Sequence, residues 1–190
     1  MAEAAADGAH GGQETTRRDF IFIAAGAVGA VGAAATIWPF VDQMNPAADT
    51  RAMSTTEVAL GQIPVGQEIK VMWQGAPVFV RHRTVEEIAR ALRDDFAQLK
   101  DPQTDEERIQ QSNGNPGKPE WLILKANCTH LGCIPLPPDN PGFHGHYGGW
   151  FCPCHGSDYD TSGRIRSGPA PKNLYVAPYV YLNDTSIRIG

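Results

Sequence analysis

The sequence predicts a mainly β chain: one N-terminal membrane-crossing helix, then a small antiparallel β-sandwich carrying a helical insertion and a long cysteine-bearing insertion. Three observations carry this reading. Residues 20–41 contain no charged side chain. Beyond them, short β-branched runs alternate with turn residues, and 20 glycines and 15 prolines in 190 residues favour many turns over long helices. All four cysteines fall between Cys128 and Cys154. Structural disulfides usually spread along a chain, so this clustering points to a metal site.

The uncharged run, FIFIAAGAVGAVGAAATIWPFV, spans about 33 Å as a helix, against a hydrocarbon core of about 30 Å. Trp38 suits an interfacial position. Gly26, Gly29 and Gly32 would admit a neighbouring helix closely. Thr16-Arg17-Arg18-Asp19-Phe20-Ile21 resembles a twin-arginine export signal. Arg17 and Arg18 also place residues 1–19 in the cytoplasm and residues 42–190 outside, in the periplasm of a bacterial inner membrane. Ala33-Ala34-Ala35 offers an alternative, a cleaved signal peptide, but the run is long enough to remain as a single-pass anchor.

Residues 42–53 (DQMNPAADTRAM) are small and polar, with Pro46 as a breaker. They read as a flexible linker, with a hinge over Ala47, Ala48, Asp49, Thr50, Arg51, Ala52 and Met53. The globular domain then occupies 54–190. Runs at 67–73 and 77–82 read as strands joined by a hairpin at Gln74-Gly75-Ala76. At 84–100 the period changes. Val85, Ile88, Ala89, Leu92, Phe96 and Leu99 fall on one helical face, Thr84 with Glu87 forms a capping box, and Pro102 follows. Residues 103–119 are polar and turn-rich and read as an exposed excursion. Further strands are expected at 121–126, 174–181 and 186–189, leaving 127–171 as the cysteine-bearing insertion. The net charge of −5 has no basic block, which excludes a nucleic-acid binder.

Two boxes dominate that insertion: Cys128-Thr129-His130-Leu131-Gly132-Cys133 and Cys152-Pro153-Cys154-His155-Gly156-Ser157, separated by 18 residues. Each puts thiolate and imidazole on one short loop. Cysteine–histidine boxes of this kind also suit a structural zinc module. His10, His82, His144 and His146 read as surface groups without a role.

The paired boxes, followed by Gly168-Pro169-Ala170-Pro171, resemble the Rieske iron–sulfur proteins of quinol–cytochrome complexes, bacterial type. The resemblance implies a Rieske-type sandwich with one 2Fe–2S cluster. Cys128 and Cys152 would bind the inner iron, and His130 and His155 the outer one. Cys133 and Cys154 would pair as a disulfide stapling the loops. Ser157 and Tyr159 would hydrogen-bond the cluster sulfurs. His155 would face the quinol, with Leu131, Pro135 and the 168–171 loop forming an apolar docking surface. The implied activity is one-electron oxidation of ubiquinol within a quinol–cytochrome c reductase, contributing to proton translocation. The implied partners are cytochrome b and a c-type cytochrome in a dimeric complex. A Rieske subunit of another exported oxidoreductase, such as arsenite oxidase, is the alternative within the resemblance. Ring-hydroxylating systems fit less well, because they usually lack the two extra cysteines and the anchor.

Overall fold

The structure is a computed structural model describing residues 16–47, 50, 54–142 and 145–190. The chain divides into two units, with the boundary after Ala47.

The first unit is helix α1, Arg17–Asp42. It starts three residues before the apolar run. Thr16 caps it, accepting from the Asp19 N–H, while the Asp19 carboxylate accepts from the Thr16 N–H at 2.9 Å. This reciprocal cap draws the twin arginines into the first turn. The helix is long and apolar enough to cross a membrane. Of the expected hinge, Ala47 and Thr50 are described; Ala48, Asp49, Arg51, Ala52 and Met53 lie outside the described residues.

Among the described residues, the second unit holds three three-stranded antiparallel sheets. The first has order β1 (Thr56–Ala59), β9 (Ser186–Ile189), β8 (Tyr179–Asn183). The second is β2 (Glu68–Trp73), β3 (Ala76–His82), β4 (Trp121–Lys125), and the third β5 (Gly148–Cys152), β6 (Ser157–Asp160), β7 (Ile165–Ser167). The middle sheet is covered on both faces. Val78, Val80, Trp121 and Ile123 pack with Val58, Tyr179, Ile187 and Ile189 of the first sheet. Phe79, Leu122 and Leu124 face the other way, into a core with Trp150, Cys152, Tyr159 and Ile165 of the third. Double burial explains why β4 reads WLIL without polar alternation. The β2–β3 hairpin turns on Gln74 and Gly75, both at positive φ, with Trp73 opposite Ala76.

Helix α2 runs Val85–Asp94 and carries the expected capping box. It ends six residues before the expected boundary, and the face it buries is not the apolar one. Val85 is 77 % exposed and Phe96 94 %, whereas Ala91 is fully buried. Polar groups hold the helix down: Glu87 pairs with Arg81 at 2.6 Å, Asp94 with Arg166 at 2.8 Å, and the Ala91 carbonyl accepts from Arg164 at 2.7 Å. Asp95, at the C-cap, accepts from Arg164 and from the Asp105 N–H, which turns the chain away.

The exposed excursion expected at 103–119 is likewise corrected. A short helix α3, Asp105–Arg108, is capped by Thr104 and Glu107, and both its terminal side chains are buried. Asp105 receives both Nη atoms of Arg83, at 2.6 and 3.0 Å, and the Ser162 hydroxyl at 2.5 Å. Arg108 donates to the carbonyls of Ser162 and Leu174 at 2.5 Å each. Polarity mimics a solvated loop in sequence, but these charges are inside because each finds a partner there.

Candidate metal centre

The two boxes fold by the same local device. In each, the glycine four residues after the first cysteine turns its amide onto that cysteine's carbonyl. Gly132 donates to Cys128 O at 2.8 Å and Gly156 to Cys152 O at 3.0 Å. Both glycines have positive φ, +83° and +77°, which a side chain would strain. The first box follows β4 and is closed further by the Cys128 N–H donating to Cys133 O at 2.8 Å. The second is the β5–β6 turn, with Cys152 opposite Ser157.

This folding sorts the donors by depth. Cys128 and Cys152 are buried, at 3 % and 1 % exposure, inside the core shared with Trp150 and Tyr159. His130 is half-buried and His155 exposed. Their rings meet edge to face, with centroids 4.7 Å apart. Cys128 and Cys152 are therefore more deeply buried than the two imidazoles. The Sγ atoms of Cys133, Cys152 and Cys154 lie within 4.8 Å of one another. The cysteines stand as thiols, with the Cys133 and Cys154 sulfurs close to one another.

Tyr159, fully buried, brings its hydroxyl to 3.2 Å from Cys128 Sγ. Burial opposes ionisation of Cys128, but hydrogen bonds from Tyr159, the His130 amide, Cys152 and Ser157 outweigh it and hold the thiol below its usual range. Cys152 has weaker support. Burial first, then the neighbouring Cys128, pushes it up to about 12. A positive centre between the two sulfurs would reverse that rise, as metal binding does for any coordinating thiol.

The proline loop closes one side. Gly168, at φ +90°, lies so close to the second box that a Cβ would come within 2.4 Å of Gly156 O. The Ala170 N–H donates to Ser157 Oγ at 3.1 Å, and Thr129 Oγ1 donates to Lys172 O at 2.6 Å. From the other side, Lys100 donates to Gly168 O at 2.6 Å, and Asp101 accepts from the Asn173 N–H at 3.0 Å. Sequence reasoning missed Thr129, Lys100 and Asp101. Neither polar residue type nor spacing distinguishes them, since their partners are backbone atoms far along the chain. Leu131 is 71 % exposed and Ile134 48 %, forming an apolar tip. Pro135 is buried and drops out of the expected docking surface. His82 is not a surface group either: it stacks on Trp121 and its Nδ1 lies 2.7 Å from Ile63 O. His146 is exposed, paired with Asp158, and His10 and His144 lie outside the described residues.

The donor set fits an iron–sulfur centre. The two boxes supply a buried pair of cysteines and a touching pair of imidazoles, and His130 Nδ1 is shielded from solvent without a hydrogen-bond partner among the described residues. A buried ring nitrogen left unpaired is costly unless it ligates. Comparison with known proteins agrees. The family model described as "Rieske [2Fe-2S] domain" matches residues 99–179, and one described as "Ubiquitinol-cytochrome C reductase Fe-S subunit TAT signal" matches residues 8–47. The ubiquinol–cytochrome c reductase iron–sulfur subunit of Rhodospirillum rubrum is 54 % identical over 190 residues, covering 100 % of both chains. That of Blastochloris viridis is 52 % identical over 178 residues, 93 % of this chain and 94 % of the relative. The mitochondrial cytochrome b-c1 complex subunit Rieske of Candida albicans is 46 % identical over 176 residues, 91 % of this chain and 77 % of that one. A solved chain titled "Hyperthermophilic respiratory Complex III" aligns with a TM-score of 0.49 at 27 % identity, over 88 % of this chain and 98 % of that one. Box geometry, donor chemistry and full-length similarity converge, and the chain belongs to the membrane-anchored Rieske [2Fe–2S] iron–sulfur subunits of ubiquinol–cytochrome c reductase.

Proposed function

We propose that this subunit takes single electrons from ubiquinol bound in a cytochrome b partner and delivers them to a c-type cytochrome, in a dimeric complex that moves protons across the membrane. Cys128 and Cys152 hold the inner iron, and His130 and His155 the outer iron. The observation that carries this is the depth order of the donors, with two cysteines buried more deeply than two touching imidazoles and one imidazole exposed. When bound, such a cluster accepts and returns one electron at a potential of about −150 to +300 mV, raised because two neutral imidazoles replace two thiolates.

The residues around the centre divide the remaining work. His155 offers its ring to the quinol hydroxyl, while Leu131 and Ile134 supply an apolar rim that excludes water from that contact. Tyr159 donates to Cys128 and steadies negative charge at sulfur. Cys133 and Cys154 form the disulfide that ties the loops in the oxidised periplasm. Arg17 and Arg18 direct export and keep residues 1–19 cytoplasmic, residues 20–41 anchor, 42–53 act as hinge, and 54–190 work in the periplasm, with 127–171 carrying the centre. Replacing His155 with Ala should abolish the electron paramagnetic resonance signal of the reduced protein. Retention of an unchanged Rieske signal in that variant overturns the ligand assignment.

A further inference from the structure

Glu68 is a half-buried acid whose carboxylate the electron-transfer site does not use. It stands on β2, in the sheet behind the centre. Its Oε2 accepts from the Trp150 indole N–H at 2.8 Å. Its Oε1 is shielded from solvent and has no hydrogen-bond partner among the described residues. A carboxylate so placed needs a cation, and among the described residues the cations nearby are already engaged. Arg81, directly opposite on β3, is bound by Glu87 of α2 at 2.6 Å and by Asp139 of the following loop at 3.4 Å. Lys70, on the same strand, lies over the Phe79 ring at 5.6 Å. Asp139 adds a like charge nearby. Trp150, from β5, offers one neutral donor. A neutral carboxylic acid satisfies this site better than an anion.

We propose that Glu68 is a proton-binding site of the folded domain, taking up a proton from solvent at Oε1 when the domain accepts an electron from quinol. The coupling follows from placement. Trp150 stacks on Phe79 and shares one core with Cys128, Cys152 and Tyr159. Two residues of strand, about 7 Å, separate Trp150 from Cys152. In so apolar a path, one negative charge added at the centre raises the cost of a second at Glu68. Burial first, partly offset by the indole hydrogen bond and by Arg81 and Lys70, pushes the carboxyl up to about 7, where physiological changes of pH act on it. The electron comes from quinol and the proton from water, so charge at Glu68 is neutralised as charge at the centre grows. The inference rests on the one-electron reading above.

The test uses the intact chain in detergent, comparing wild type with Glu68→Gln, which keeps the shape and the acceptor for the indole but cannot ionise. Midpoint potential is followed against pH by titration of the paramagnetic signal. The two proteins should coincide at about pH 5, where the acid is neutral, and separate above about pH 7, with the wild type lower. The reduced-minus-oxidised infrared spectrum of the wild type should contain a protonated-carboxyl band, absent from the variant. The infrared measurement on wild type stands even where the variant folds poorly. Superimposable pH profiles with an intact signal, or a wild-type spectrum without that band, overturn the proposal alone. Absence of any Rieske signal in the wild type overturns the electron-transfer reading with it.

Discussion

Replacing Tyr159 with Phe isolates the contribution of one hydroxyl. The ring is fully buried, and Phe keeps its packing, so the change is confined to the hydroxyl 3.2 Å from Cys128 Sγ. A hydrogen bond to a charged acceptor contributes roughly 1.5–3 kcal/mol. Sulfur is more negative after reduction, so the bond strengthens on reduction, by part of that amount. Taking the difference as about 1 kcal/mol, and a tenfold change in a one-electron equilibrium as about 59 mV, the midpoint should fall by about 40 mV. Protein-film voltammetry reads the shift, and visible circular dichroism checks that the cluster remains in place. Ser157→Ala should lower the midpoint in the same direction, and it should also destabilise the domain. The Ala170 N–H that donates to Ser157 Oγ at 3.1 Å would be left buried and unpaired, at a cost of about 1–3 kcal/mol. An unchanged midpoint in a fully loaded Tyr159→Phe protein refutes the reasoning. It would mean that the phenol serves Thr129, 3.5 Å away, rather than the sulfur.

Four other expectations follow from the structure. Arg164→Ala should cost about 3–5 kcal/mol in thermal unfolding, because it strands Asp160, fully buried and 2.8 Å from Arg164 Nε; a loss under 1 kcal/mol would show that water reaches this site. Thiol labelling of the protein isolated without reductant should find Cys133 and Cys154 blocked and recover both after reduction, whereas two accessible thiols would exclude the bridge. Prolines at Ala48, Asp49 and Thr50 should slow steady-state turnover severely while leaving the paramagnetic signal and the potential in place, and full turnover would exclude hinge motion there. Glu68 has a folded-state pKa raised to about 7, so the stability it contributes is complete below about pH 4.5, its ordinary range, and is lost as pH rises through about 7. Glu68→Gln should therefore match the wild type in urea unfolding at about pH 4.5 and exceed it by roughly 3 kcal/mol at about pH 8; equal stabilities at both would show that the carboxyl is hydrated.

The parts of this molecule legible in the sequence are those governed by local rules. Gly75 takes positive φ freely and stands between two strand-like runs, so the hairpin could be read locally, although Gln74 also adopts positive φ. Thr84 and Glu87 mark a helix start because the capping box is closed within four residues. The two cysteine boxes are short enough for one glycine each to determine their curl. What escaped reading depends on distant partners. The sheet β5–β6–β7 pairs strands of three to five residues through irregular register, too short to show a period. The inverted helix α2 escaped for a related reason. Its apolar stripe is real, but Arg81, Arg164 and Arg166, up to 72 residues from their partners in sequence, bind its acidic face and decide which side turns inward. Hydrophobic periodicity assumes that burial is apolar, and here charge pairing wins locally.

That local victory has a physical sense. A metal centre held on loops needs those loops fixed to a fraction of an ångström, yet loops have few apolar contacts with which to fix themselves. Apolar packing is non-directional and tolerates small slips, whereas a guanidinium bound to named oxygens does not. Arg164 joins Asp160 of β6 to Asp95 and to the Gln103 carbonyl of the insertion. Arg108 reaches from the insertion to the β6–β7 turn at Ser162 and to Leu174 beside the proline loop. Arg83 brings Asp105, and through it Ser162, onto the middle sheet. Each arginine thus ties an element that bears the boxes to one that does not. Replaced by apolar residues of equal volume, such a lattice could leave the domain as stable, since burying charges recovers little net energy. The proline loop would then be held by its bonds to Ser157 of the second box, Thr129 of the first and Lys100 of the insertion. The arginines therefore fix the frame on which the two boxes stand: Asp160, bound by Arg164, directly follows Tyr159 on β6.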